Sequence, residues 1–151
     1  MKDAFVDGNI IAERAIGFWI HRVLAASRAE MYRRFREHGE EITPEQWAVL
    51  LRLWEQDGVS QSDLSKATFR DAPTMSRIID SMEKRGLVER QVDGWDARSR
   101  KIHLTPRGRT IKKKLVPVAE EIVERMTHGI DRRALETTRE ALKKMFSNLT
   151  D

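Results

Sequence analysis

The chain has no cysteine among its 151 residues. That excludes disulfides, thiol nucleophiles, cysteine zinc sites and thiol redox sensing. Proline and glycine are sparse, at 4 and 8, and the chain is 40% hydrophobic and 34% charged. That balance belongs to a folded chain rather than a disordered one, and the length suits one domain with a real core, or a compact domain with helical arms. Long apolar runs are missing as well. The best, Ala15 to Ile20, is broken by His21 and Arg22, too short for a signal sequence or a membrane span. The expectation is a cytoplasmic protein without a membrane partner.

Catalytic signatures are also lacking. His21, His38, His103 and His128 stand apart, with no His-Glu-x-x-His or similar metal spacing. No glycine-rich phosphate loop follows an expected strand, and no serine nucleophile motif occurs. His103 lies between Ile102 and Leu104 in a short apolar run, so a packing or outward role is expected before a ligand role. No catalytic residue, metal site or cofactor is assigned, and an enzyme is not expected.

What the chain does have is an uneven charge. Residues Ser60 to Lys114 hold 14 Lys and Arg against 7 Asp and Glu, a local charge of +7, while the remainder carries −3 of the overall +4. A basic middle between near-neutral ends is expected where one region faces a polyanion, although such asymmetry also arises by chance.

The stretch Asp71 to Arg90 organises the rest. Asp71 is a helix N-cap type, Pro73 is tolerated in a first turn, and Gly86 is a usual helix exit. Met75, Ile78, Ile79 and Met82 recur at i, i+3, i+4 and i+7 and make one apolar face. Thr74, Ser76, Arg77, Asp80, Ser81, Lys84 and Arg85 make the other. Short hydroxyls and one arginine near a helix start suit insertion into a DNA major groove, where an arginine can bond guanine O6 and N7 together. Taken alone, the commoner explanation is a solvated surface helix.

The neighbouring segments shift that balance. A long helix is expected from about Ile10 to His38, with Ile16, Trp19, Ile20, Val23, Leu24, Met31 and Phe35 on one side. Thr43-Pro44-Glu45-Gln46 reads as a capping box opening a helix whose inner face is Trp47, Leu50, Leu51 and Trp54. Ser60-Gln61-Ser62-Asp63 opens a short helix with Leu64 and Ala67 inward, and Phe69 to Asp71 is the joint to the next one. Two short helices with a tight joint form a helix-turn-helix pattern. Leu87 to Val92 and Lys101 to Leu104 read as strands, with Val88 and Val92 on one face and a charged loop, Asp93 to Arg100, as a wing. Thr105-Pro106 caps a further helix that Pro117 should kink or break. Asp131 caps the last, which carries Leu135, Leu142, Met145, Phe146 and Leu149 on one side.

In the order of these elements and in four short motifs, the chain resembles the MarR family of bacterial winged-helix transcription regulators. The motifs are Asp71-Ala-Pro-Thr-Met-Ser-Arg77, Met82-Glu-Lys-Arg-Gly-Leu-Val-Glu-Arg90, Asp96-Ala-Arg98 and Leu104-Thr-Pro-Arg-Gly108. The resemblance implies a mainly α fold with a small β-hairpin wing and long terminal helices that join a homodimer. Residues 1–42 would be the N-terminal part of the dimerisation region, 43–105 the winged helix-turn-helix, and 106–151 the C-terminal dimerisation helices. It implies double-stranded DNA as partner, with Pro73, Thr74, Ser76 and Arg77 at the major groove. Arg98 would enter the minor groove, supported by Asp96. Ala97 departs from the often basic middle position of that wing motif, and Arg100 is the nearest residue to compensate. Lys66, Arg70, Lys84 and Arg85 would neutralise phosphates.

The resemblance further implies a small apolar or aromatic effector, bound in a crevice for which Trp19, His21, Trp47 and Trp54 are the lining candidates; ordinary core is the competing reading for the tryptophans. A repressor is expected. The alternative from another class is a winged helix used for protein contact without specific DNA binding.

Overall fold

The computed structural model describes the backbone of residues 5–6, 9–93 and 96–150, and the side chains of residues 11–92 and 100–150. Two short strands, β1 (Phe5–Val6) and β2 (Asn9–Ile10), pair antiparallel, and a 3-10 turn follows at Ala12–Arg14. Helix α1 runs from Ile16 to Glu37. It starts later than the apolar periodicity suggests, because Ala15 is extended (φ −80°, ψ 121°) and offers no capping side chain. Gly39 (φ +75°) ends it, with Gly39 N–H on the Arg36 carbonyl and Glu40 N–H on the Phe35 carbonyl. That pairing closes the last turn in the way a left-handed residue after a helix allows.

Helix α2 (Pro44–Glu55) opens with the expected capping box, Thr43 and Gln46 each accepting from the other's backbone N–H. Its inner face is rotated from the expected one. Val49, Leu50 and Leu53 are buried with Trp47, whereas Leu51 is exposed and Trp54 half-buried. The two-residue strand β3 (Val59–Ser60) leads into α3 (Gln61–Thr68), on which Leu64 is buried and Ala67, expected inward, is exposed. Phe69 adopts the left-handed conformation (φ 53°) at the joint to α4 (Ala72–Lys84). Its ring lies edge-on to Phe146, 5.1 Å between centroids.

Strands β4 (Val88–Asp93) and β5 (Asp96–Leu104) form the wing, and β3 adds to β5, giving the antiparallel order β3-β5-β4. β5 starts five residues before the expected strand, because its pairing with β4 continues outward as far as Asp93 opposite Asp96. The hairpin leaves the body as it extends: Val88 is buried and Val92, on the same strand face, is exposed. β3 was not expected from the sequence; two residues give no periodicity to read.

Helices α5 (Pro106–Thr110), α6 (Lys112–Thr127) and α7 (Arg132–Thr150) complete the chain. The interruption falls at Ile111 rather than Pro117, which lies inside α6. The core joins Phe35, Ile42, Trp47, Leu50 and Leu53 to Met75, Ile79, Met82, Leu87, Ile102, Leu115 and Val118, so α1, α2, α4, the sheet and α6 share it. α6 also meets α1 through Arg34–Glu121 and through Arg125–Glu30 at 2.8 Å. None of the side chains described on α7 is buried. No helix among the described residues is long and apolar enough to cross a membrane.

Candidate nucleic-acid interface

Helix α4 has three faces. Met75, Ile79 and Met82 are buried in the core, with Ile78 packed against it. Ser76, Asp80 and Glu83 form a second stripe at i, i+4 and i+7, turned toward the wing. Pro73 and Arg77 are exposed and Thr74 is partly so, near the helix start. Asp71 fixes that start by accepting the Thr74 N–H at 2.7 Å. The Thr74 amide, then its hydroxyl, and further on the Arg77 charge hold the Asp71 carboxyl below the usual carboxylate range. The N-cap is therefore an ionised carboxylate, and the Thr74 hydroxyl is turned toward it. Gly86 (φ +64°) closes the other end, with Leu87 N–H on the Met82 carbonyl at 3.0 Å, and so fixes the distance from α4 to β4.

Among the cationic side chains expected to meet phosphates, Lys66 is exposed beside Asp63 at 3.9 Å, and Arg70 stands 3.6 Å from Glu45. Lys84 is exposed. The Arg85 guanidinium instead donates to the Glu41 carbonyl, tying α4 to the segment before α2. Arg100 is exposed on β5 opposite Val92. Asp96 and Arg98 belong to the same strand, and their side chains lie outside the described residues.

The motif Leu104-Thr-Pro-Arg-Gly108 serves the joint between wing and α5. Thr105 caps α5 by accepting Gly108 N–H at 3.0 Å and donates its hydroxyl to the Gly86 carbonyl at 2.5 Å. Arg107 donates to the Arg85 carbonyl at 2.6 Å and pairs with Glu40 at 3.1 Å. The ends of α4 and the wing are thereby bolted to the helices that follow.

Trp19, His21, Trp47 and Trp54 are not brought together within one chain. Trp47 is 8% exposed and packs between Phe35 (4.9 Å) and Trp54 (5.4 Å). The Trp54 indole N–H donates to the Gly108 carbonyl at 2.9 Å. Trp19 and His21 are exposed on the first half of α1. Trp19 and Phe35 are sixteen residues apart on that helix, roughly 24 Å at the α-helical rise. Between α1 and α6 there is a separate open groove of about 220 Å³, lined by Val23, Ala26, Ser27, Ile122 and Met126 with the Glu30–Arg125 pair.

Comparison with known proteins decides what this arrangement belongs to. A sequence model of the MarR family matches residues 42–99. A MarR transcriptional regulator from Methanosarcina mazei Go1 superposes with a TM-score of 0.78 at 30% identity, over 88% of this chain and 94% of that one. The chain belongs to the MarR family. It is a transcriptional regulator with that family's DNA-binding winged helix. The chain is also similar to the HTH-type transcriptional regulator TtmR of Methylorubrum extorquens (strain PA1), 37% identical over 95 residues. That stretch is 62% of this chain and 48% of TtmR, so the chain spans about half the length of this relative. BpsR of Bordetella bronchiseptica, whose DNA binding is regulated by 6-hydroxynicotinic acid, is 27% identical with a TM-score of 0.79, over 88% of this chain and 94% of its own.

Two groups in this MarR-family chain escaped the sequence reading. Arg90, 13% exposed, faces the Ser76–Asp80–Glu83 stripe. The i, i+4, i+7 spacing of that stripe was legible, but the partner that gives it meaning sits on a strand. Asp57 accepts Leu104 N–H at 2.8 Å and Gly58 N–H at 3.0 Å, and pairs with Arg109 at 2.7 Å. Burial works to raise its pKa, but the two amides and the guanidinium outweigh it and hold it below the usual range. Nothing local in the sequence joins residues 57, 104 and 109.

Proposed function

We propose that the protein is a homodimeric repressor that reads a pseudo-palindromic operator in double-stranded DNA. Each α4 enters a major groove by its N-terminal end, and each wing reaches the adjacent minor groove. The observation that carries this reading is the exposure of Pro73 and Arg77, with Thr74 partly exposed between them, on the side of α4 away from the core. Short side chains there let the backbone approach the base edges, and Arg77 supplies the bidentate donor. Ser76 lies on the same end but also meets Arg90, and it acts at the edge of the contact. Arg98 and Arg100 serve the wing, where a narrow minor groove attracts arginine, and Asp96 has a supporting role. Lys66 and Arg70 serve phosphates, Arg70 by leaving Glu45. Residues 43–105 form the DNA-binding unit.

Residues 1–42 and 106–151 join the two protomers. Ile16, Ile20, Val23 and Leu24 of α1, Val123 and Met126 of α6, and Leu142, Phe146 and Leu149 of α7 are all exposed apolar residues. Surfaces of this kind on a single chain mark contact with a partner. A two-fold axis lets the same surface cover itself.

A small aromatic or otherwise apolar ligand releases the DNA, as the regulation of BpsR by 6-hydroxynicotinic acid suggests by similarity. Trp54, half-buried with the Lys112 ammonium 6.0 Å from its ring centre, is the better placed of the aromatic candidates. Trp47 acts as core behind it, and Trp19 and His21 meet a ligand only if the second protomer brings them near. Charge reversal, Arg77→Glu, is expected to abolish DNA binding while the protein remains folded. Unaltered DNA binding by that variant would favour a winged helix that contacts protein instead.

A further inference from the structure

The Arg90 guanidinium uses its whole fork. Nη2 lies 2.7 Å from Asp80 Oδ1 and 3.2 Å from the Ser76 carbonyl, Nη1 pairs with Glu83, and Nε donates to Gln61 Oε1 at 3.3 Å. The Ser76 hydroxyl is 3.5 Å from Nη2, and the Arg90 backbone N–H donates to the other oxygen of Glu83 at 2.9 Å. Gln61 opens α3, Ser76, Asp80 and Glu83 belong to α4, and Arg90 is on β4, so one side chain ties the three elements that stand around the proposed DNA surface.

We propose that Arg90 is a positioning residue for sequence reading: it fixes the angle between α4 and the wing, and thus which base edges Arg77 meets when the wing is seated. This rests on the reading that α4 enters the major groove. Two consequences follow from the chemistry. The carboxylates of Asp80 and Glu83 would repel phosphates if left unpaired, and Arg90 offsets one of their two charges from the protein side. Because a planar guanidinium reaches several acceptors in fixed directions and an ammonium is a single point charge, lysine cannot replace it. A change of angle misplaces base contacts but leaves phosphate attraction largely intact, so it lowers preference between sequences more than affinity for DNA in general.

The test uses the full-length protein and a duplex that the parent itself selects from a random-sequence pool. Affinity for this duplex and for a scrambled one of equal length is measured for the parent, Arg90→Ala and Arg90→Lys, with folded content checked by circular dichroism. Partial unfolding lowers both affinities by one factor and leaves their ratio unchanged; loss of positioning lowers the ratio. The expected result is a ratio reduced on the order of tenfold in both variants, the scale of one misplaced base contact. Should Arg90→Ala not fold, Asp80→Ala and Gln61→Ala each remove one arm and are expected to reduce the ratio several-fold. A parent that discriminates and variants that keep its ratio would overturn the positioning role and leave the DNA reading standing. A parent that shows no preference would overturn the DNA reading, and this inference with it.

Discussion

The carbonyl oxygen of Leu87 lies 2.0 Å from the point where a Cβ on Gly108 would stand. That oxygen also accepts the Thr105 N–H at 3.1 Å, and the Gly108 carbonyl accepts the Trp54 indole. The backbone of α5 thus rests directly on the start of β4, and neither partner can retreat without losing hydrogen bonds. Gly108→Ala is expected to destabilise the fold by on the order of 3 kcal/mol, at the upper end for overpacking. Chemical denaturation, read as a shift in midpoint at constant slope, checks it.

Arg77→Ala is expected to weaken binding to the preferred duplex by roughly 1–3 kcal/mol and to relax preference at one base position. Lys66→Ala should instead weaken binding to all sequences alike and reduce the salt dependence. Titrations on the preferred duplex and on single-base variants separate the two outcomes.

Asp57 sets a dependence on pH. Its folded pKa is depressed, so the stabilisation from its ionised form is complete above the unfolded value, about 3.9, and is lost as pH falls through the folded one. Asp57→Asn should therefore cost most near neutral pH, about 1–3 kcal/mol for charged hydrogen bonds. The difference from the parent should shrink as the medium is acidified below pH 4. Unfolding midpoints of both proteins between pH 7 and pH 3 check this.

Phe69 and Phe146 offer a local test of how α7 sits on the helix-turn-helix joint. An edge-on aromatic pair contributes about 0.5–1.5 kcal/mol beyond the area it buries. A double-mutant cycle with Phe69→Ala and Phe146→Ala should return a coupling in that range. Additive effects would mean that the rings do not meet in solution.

The dimer is expected to show as a sedimentation-equilibrium mass of twice the 17.6 kDa chain. Leu142→Asp combined with Leu149→Asp places charge on the exposed stripe of α7 and should give a monomer that binds DNA far more weakly.

Much of the fold was legible because its signals are local. The Thr43–Gln46 capping box, the Asp71 cap, the glycine exits at Gly39 and Gly86, and the apolar stripe of α4 each lie within one or two turns. The misreadings have physical causes of longer range. Leu51 has helical spacing but the buried side of α2 is made by Val49, Leu50 and Leu53, and Pro117 lies inside α6 while the interruption falls at Ile111. Arg90 and Asp57 were invisible as functional groups because their partners come from other elements. Four motifs in order carried the family, and the exposed start of α4 was readable from the same residues. That Trp19 and Trp47 lie far apart was not, since both fit an apolar stripe.

Sequence-specific DNA binding is tested by equilibrium binding of the purified protein to the DNA upstream of its own gene and to random duplex of equal length, each at two salt concentrations. Tight binding to the upstream DNA, a clear preference over random duplex, and affinity that falls steeply with salt for both are expected. Equal, weak binding to both duplexes at either salt concentration would contradict sequence-specific binding.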